Sequence, residues 1–172
     1  MSDIKIRKAN HSEIDAIMSI YESARRFMKE GGNPNQWGDA YPPRELIISD
    51  IESQKLYVAE DNEALLAVFY FTKGPDPTYR VICGGEWQGG EDYSVIHRIA
   101  VAEKARGRGV ARLCFEYCLR EAGEIRIDTH RNNRAMQSAL LKSGFLYCGV
   151  IRIERPADPQ DDCERLAYCK TL

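Results

Sequence analysis

The segment HRIAVAEKARGRGVA, running from His97 to Ala111, places two kinds of chemistry side by side. His97 interrupts an otherwise apolar run, and a neutral imidazole can take a proton from an amine or a water near physiological pH. A few residues on, Arg106, Gly107, Arg108 and Gly109 form a loop where the apolar run ends and a helical pattern begins at Val110. Glycine costs a helix about 1 kcal/mol relative to alanine, so two glycines at that junction point to a requirement for bare backbone. A glycine turn feeding a helix start offers unpaired N–H groups and the positive end of the helix dipole, which together bind phosphate oxygens. Arg106 and Arg108 add charge. Taken alone, the pattern reads equally well as a flexible surface turn. It matches neither the G-x-x-x-x-G-K-[ST] loop of triphosphate sites nor the G-x-G-x-x-G of dinucleotide sites.

Other residues carry chemistry less sharply. In NQWGDAYP, Trp37 and Tyr41 suit an apolar wall and Asp39 an amine-attracting charge; a Trp37 that plugs a gap between helices is the equal alternative. Glu86 and Trp87 offer a second rim, with an ordinary solvated loop as the plainer reading. The six cysteines (83, 114, 118, 148, 163 and 169) include no Cys-x-x-Cys pair, and with three histidines in the chain no metal site is expected. Cys114 and Cys118, four apart on a predicted helix, read as buried thiols. The first fifteen residues contain no apolar leader core, so the cysteines point to a reducing cytoplasm. A net charge of -2 gives no field for a nucleic acid or an anionic membrane, and no apolar run approaches the roughly 20 residues of a membrane span.

These residues need a frame. The 172 residues, 44% of them hydrophobic, suit a single domain over 1–172. Ile4 and Ile6 alternate as in a strand. Asn10 then reads as a helix cap with Glu13 completing a capping box, ahead of Ile14, Ile17, Met18, Tyr21, Ala24 and Phe27 at helical spacing up to Gly31-Gly32. A second helix follows over 44–53. KLYVAE and ALLAVFYFT read as strands joined by the turn Asp61-Asn62-Glu63, and residues 74–92 read as loop. Thereafter strands and helices alternate: YSVIHRIAV, a helix over 110–122, IRIDT, a helix over 133–142, FLYCGVIRI and finally ERLAYCK. A meander followed by alternation predicts a mixed sheet of the α/β or α+β class.

At this point the sequence resembles the GCN5-related N-acetyltransferases (GNAT). Their Arg/Gln-x-x-Gly-x-Gly/Ala signature follows a strand ending apolar-Ala-Val, and Arg106, Gly109 and Ala111 match it behind Ile99-Ala100-Val101. NRAMQSALLKSGF resembles the downstream helix, with Asn133 at the usual asparagine and Gly144-Phe145 at the helix exit. The resemblance covers essentially the whole chain. It implies a mostly antiparallel sheet of about six or seven strands with about four helices, whose parallel strands around Ile99 and Ile125 splay apart. It implies acetyl-CoA as co-substrate, held at Ile99, Val101, Arg106, Gly107, Arg108, Gly109, Val110, Ala111 and Asn133, and transfer of the acetyl group to a primary amine of a small molecule or peptide. It is compatible with a homodimer, since many members pair through sheet edges or helices.

The same resemblance implies His97 as the base, because arylalkylamine acetyltransferases carry a histidine two residues before the apolar-Ala-Val position. A core histidine bonded to a neighbour is the alternative from the residues alone. Strand alternation puts His97 on the face of Val95, Ile99 and Val101 unless a bulge intervenes, and makes Arg98 an ion-pair partner on the other face. Substrate contacts in the family come from the segment between the first two helices, here Trp37 and Tyr41. Arg131 and Arg134 flank the Asn133 helix start, either near coenzyme phosphates or simply in solvent. The sequence departs from the family where a tyrosine acid is usual, four residues before Gly144, because Leu140 stands there; Tyr147 is nearby but reads as a strand aromatic. That departure leaves a second reading, a catalytically impaired CoA-binding or structural module, and the loop alone leaves a third, a nucleotide-binding protein.

Overall fold

Backbone pairing in the computed structural model, which describes residues 4–62 and 64–172, joins seven strands into one sheet. The strands are β1 (Lys5–Lys8), β2 (Leu56–Asp61), β3 (Ala64–Lys73), β4 (Ser94–Val101), β5 (Glu124–Thr129), β6 (Leu146–Arg152) and β7 (Glu164–Thr171), in the spatial order β1-β2-β3-β4-β5-β7-β6. All neighbours are antiparallel except β4 and β5. Four helices join them: α1 (Ile14–Glu30), α2 (Arg44–Glu52), α3 (Val110–Ala122) and α4 (Arg134–Lys142). This is the expected mixed sheet. Glu63 of the expected β2–β3 turn lies outside the described residues.

The local signals work through ordinary hydrogen bonds. The Asn10 N–H donates to Glu13 Oε2 at 2.7 Å, fixing the chain just ahead of α1. Ile17 and Tyr21 are fully buried, and Ile14, Ile20, Ala24 and Met28 complete the inward stripe. Phe27, which the spacing assigns to that stripe, is instead 43% exposed and lies against the guanidinium of Arg106. α1 and α3 both pack on β3 and β4, so the core forms around the middle of the sheet. Cys114 and Cys118 are fully buried there, and burial pushes the Cys114 thiol up to about 12 and the Cys118 thiol up as well. Among the described residues no helix is long and apolar enough to cross a membrane.

Two irregularities shape β4. Its pairing with β3 passes from Tyr70↔His97 to Val68↔Ala100, so β4 carries one extra residue, a bulge at which Arg98 has φ +52°. Its parallel pairing with β5 extends only over Ser94↔Ile125 and Val95↔Arg126. Beyond that point β4 and β5 diverge, and among the described residues the β4 edge facing β5 has no ladder partner.

The segment 74–92, read as loop, is pinned at several points. Tyr79 is buried with Tyr93, Val95 and Ile151 in a small second cluster. The Trp87 indole N–H donates to the Tyr79 carbonyl at 2.9 Å, and Cys83 bridges to Val150 of β6.

Candidate active site

The gap between β4 and β5 opens into a cleft of about 1220 Å³, lined along its length by residues 96–101 and 127–129. At one end lies the glycine loop. Gly107 has φ +75° and Gly109 φ +78°, the left-handed region that other L-residues enter at a cost of about 1–2 kcal/mol. A Cβ on either glycine would meet nothing within 4 Å. Packing within the protein therefore does not demand glycine; the turn does, and it leaves the backbone bare toward the cleft. Gly109 is the N-cap of α3, whose first turn has neither a side-chain cap nor an acidic residue. Its leading N–H groups and dipole suit an anion.

The arginines of the loop diverge. Arg106 Nη2 donates to Ser23 Oγ at 2.7 Å and its guanidinium sits 4.4 Å above the Phe27 ring, so its charge is anchored on α1 beside the cleft. Arg108 Nη2 lies 3.9 Å from Asp61 Oδ2, and the residue is absent from the cleft wall. Ile99, Val101, Arg106, Gly107, Gly109, Val110, Ala111 and Asn133 all line the cleft. Asn133 accepts a bond from the Met136 N–H at 3.1 Å, capping α4, and donates to Gln36 Oε1 at 3.2 Å. One side chain thus ties α4 to the segment after α1.

His97 stands at the other end, in the wall between this cleft and a second cavity of about 390 Å³. Its Nε2 is 2.7 Å from Asp76 Oδ2 and its Nδ1 is 3.9 Å from Asp128 Oδ2. Tyr79 donates its hydroxyl to the same Asp128 oxygen at 2.7 Å. Burial works to raise the Asp76 carboxyl, but the bonds from His97 and from the Thr78 N–H prevail and hold it below the usual carboxylate range. Burial, reinforced by Asp128, raises the Tyr79 phenol well above its ordinary value, so Tyr79 stays a donor. The bulge changes the expected parity: His97 packs on Tyr79 in the small cluster with Val95, whereas Ile99 belongs to the main core.

Arg98 forms a buried ion pair with Asp50 of α2 at 2.6 Å and stacks over Tyr70. Its Nη1 reaches the Tyr41 hydroxyl at 3.5 Å, and its carbonyl accepts from Tyr21 at 2.9 Å. Trp37 and Tyr41 both line the cleft, and Trp37 also packs edge-on against Tyr21 of α1; it wedges the segment and walls the site at once. That segment meets the β6–β7 loop over the cleft: a Cβ on Gly38 would fall 3.3 Å from Asp158 Oδ2, and Asn35 Nδ2 is 3.5 Å from the Gln160 carbonyl.

Several sequence candidates lie elsewhere. The Asp39 side chain is 90% exposed and its near neighbour is Lys29. Glu86 is exposed, while Trp87 packs behind Tyr79. Leu140 is fully buried and Tyr147 is exposed against Tyr168, so neither reaches the cleft wall. Arg131 pairs with Asp162 and Glu164, away from any phosphate cradle. His130, Asp161 and Asp162 converge within 4.8 Å, but Arg165 already grips both Asp161 oxygens, at 2.9 and 2.5 Å, which makes the group an ion-paired anchor for the β6–β7 loop. Sequence reasoning missed Asp76, Tyr79 and Asp128. The only local signal was DPTY, whose Asp-Pro start marks a side-chain-capped turn.

The family model for "Acetyltransferase (GNAT) family" matches residues 14–145. A GNAT acetyltransferase structure from Streptococcus agalactiae is 33% identical, with 98% of this chain and 95% of that one covered at a TM-score of 0.86. The chain belongs to the GNAT acetyltransferase family. More distant solved structures share the GNAT fold. One from Salmonella typhimurium, holding its cofactor acetyl-CoA, is 15% identical over 98% and 94% of the two chains, at TM-score 0.65. The ribosomal-protein-S18-alanine N-acetyltransferase of Escherichia coli is 13% identical over 99% and 94%, at TM-score 0.62. No curated protein matches this chain by sequence. In this GNAT chain the glycine loop and the splayed strands occupy one continuous cleft, and the residues present fit a ligand with a pyrophosphate and a long arm: bare backbone at Gly107 and Gly109, an uncapped helix start, and an unladdered strand edge.

Proposed function

We propose that this protein is an N-acetyltransferase that uses acetyl-CoA and acetylates a primary amine, with His97 as the base. The observation that carries the reading is the placement of His97, bonded to Asp76 at 2.7 Å, on the wall of the cleft that begins at the glycine loop. Acetyl-CoA supplies an acetyl thioester, whose C–S bond breaks as the C–N bond to the amine forms, leaving an amide and the coenzyme thiol.

The chain's own groups divide the remaining work. The N–H groups at the start of α3 and in the glycine loop hold the pyrophosphate. The β4 edge that faces β5 offers main-chain donors between Ile99 and Val101 for the arm and for the thioester oxygen. An ionised Asp76 carboxylate can only accept, so His97 Nε2–H donates to it and Nδ1 keeps its lone pair for the amine proton. Positive charge developing on the imidazole is then balanced by Asp76 and, at 3.9 Å, by Asp128. Leu140 supplies no proton to the departing thiolate, but a thiolate leaves readily without one, and solvent can protonate it.

One observation favours a second reading, a CoA-binding module without catalysis: Leu140 is fully buried where the family usually has its tyrosine. Thermal unfolding with acetyl-CoA, CoA, ATP and NAD, followed by a coenzyme-release assay over an amine panel, separates the readings. A ligand at a hundred times its Kd stabilises the native state by about 2.7 kcal/mol. Acetyl-CoA should raise Tm where ATP and NAD do not, and at least one amine should release CoA in a His97-dependent way. Stabilisation by ATP or NAD alone would overturn the reading, while acetyl-CoA binding with no amine-dependent release would favour the inert module.

A further inference from the structure

We infer that the acceptor is a small amine that also carries a carboxylate, an amino-acid-like compound rather than a simple or polycationic amine. The inference rests on the acetyltransferase reading of the same cleft.

The acceptor end of the cleft is strongly basic. Arg80, Arg152 and Arg155 line it, on segments held together by the Cys83–Val150 bridge and by the turn out of β6. Arg98 and Arg165 line it too, but each is neutralised by a buried aspartate, Asp50 and Asp161 respectively. Among the described residues, Arg152 has only a loose, exposed contact with Glu164 at 3.4 Å. The side chains of Arg80 and Arg155 make no hydrogen bond or ion pair among the described residues, and both are exposed at the cleft. The acidic groups in the cleft wall are Glu154 and Asp128, and Asp128 already accepts from Tyr79 beside His97.

This layout separates the charges. Carboxylates flank His97, where an ammonium group would arrive and lose its proton, while toward the β6–β7 loop the guanidinium groups of Arg80, Arg152 and Arg155 outnumber the one carboxylate in the cleft wall there, Glu154. A guanidinium fork matches a carboxylate with two parallel bonds. A simple amine would leave these arginines without a partner, and a polycation would be repelled by them.

The test uses matched pairs in which only one member carries a carboxylate: tyrosine against tyramine, phenylalanine against phenethylamine and lysine against cadaverine. Acetyl transfer is measured in wild type and in the Arg80→Met and Arg155→Met variants, with acetyl-CoA binding followed by thermal shift. In at least one pair the α-carboxylate member should have the higher kcat/KM. Each substitution should lower that value roughly tenfold, the scale of one lost charge-assisted hydrogen bond, and leave the decarboxylated member and the thermal shift unchanged. If the decarboxylated members react equally well or better, or if the variants slow both members alike, the inference is overturned while the acetyltransferase reading stands. Acetyl-CoA binding with no turnover or saturable binding of any carboxylate-bearing member also overturns it. Absence of acetyl-CoA binding in wild type would instead bring down the underlying reading.

Discussion

The two ends of the cleft are built by different means. The glycine-loop end, where the coenzyme is proposed to bind, is a local structure of backbone: one strand edge, one glycine turn and one helix start, contiguous between Ile99 and Ala111. The acceptor end is a convergence of side chains from distant stretches: Trp37 and Tyr41 after α1, Asp76 and Tyr79 in the segment before β4, His97 on β4, Asp128 on β5 and Arg155 after β6. Backbone geometry can be written into a short motif and held constant, whereas a wall made of separate segments can change one residue at a time. Under the proposed function, the coenzyme is held by the backbone end and specificity lies at the side-chain end.

The sharpest way to break the comparison is at Gly109. Gly109→Glu puts an acidic side chain in left-handed backbone at the helix start, and it should abolish the thermal shift given by acetyl-CoA while leaving the sheet intact by circular dichroism. A retained shift would show that the coenzyme is not held by this loop. Next in size is His97→Ala, expected to lower kcat by roughly 10²–10⁴, the usual share of a general base, with the acetyl-CoA shift unchanged. Loss of binding and turnover together would merge the two ends into one structural unit.

Asp76→Asn sharpens the comparison within the acceptor end. Because it removes the acceptor that orients His97, kcat should fall about tenfold with little change in the KM for acetyl-CoA, and the pH–rate profile should move. It also has a stability signature. The folded carboxyl lies below its ordinary value of 3.8, so its contribution is present above that value and is lost as pH falls through the lower, folded one. Urea midpoints measured from pH 7 to pH 3 should therefore drop more steeply in the wild type than in Asp76→Asn.

A smaller effect is expected at Leu140, which is fully buried. Leu140→Tyr should cost about 1–3 kcal/mol by overfilling the core without raising kcat; a faster variant would mean the missing tyrosine limits the reaction. Least of all is Asp39→Asn, for a side chain 90% exposed, which should change stability by less than about 0.5 kcal/mol and leave acceptor kinetics alone.

Much of the coenzyme end was legible because its signals are local. The glycines, the apolar-Ala-Val strand end and the Asn133 cap act on neighbouring backbone, and the left-handed angles at Gly107 and Gly109 and the cap on Met136 lie where those residue types demand them. The acceptor end was legible only in part. His97, Trp37 and Tyr41 line the cleft, while Asp39 and Glu86 lie outside its wall, because charge in a loop says nothing about where the loop is pinned. Asp76 was invisible for the converse reason: its partner is 21 residues away, and only the turn at Thr78 and the buried Tyr79 bring it to the imidazole.

By itself, then, the sequence determined the order of elements, the family and the site of the glycine loop, all of which follow from periodicity and short-range backbone preference. The bulge at Arg98 that turns His97 away from the face of Ile99, the carboxylates on either side of its ring, and the unpaired arginines over the acceptor end were decided by tertiary structure alone. Each depends on how distant segments pack, and packing free energy is shared among contacts that no local pattern encodes.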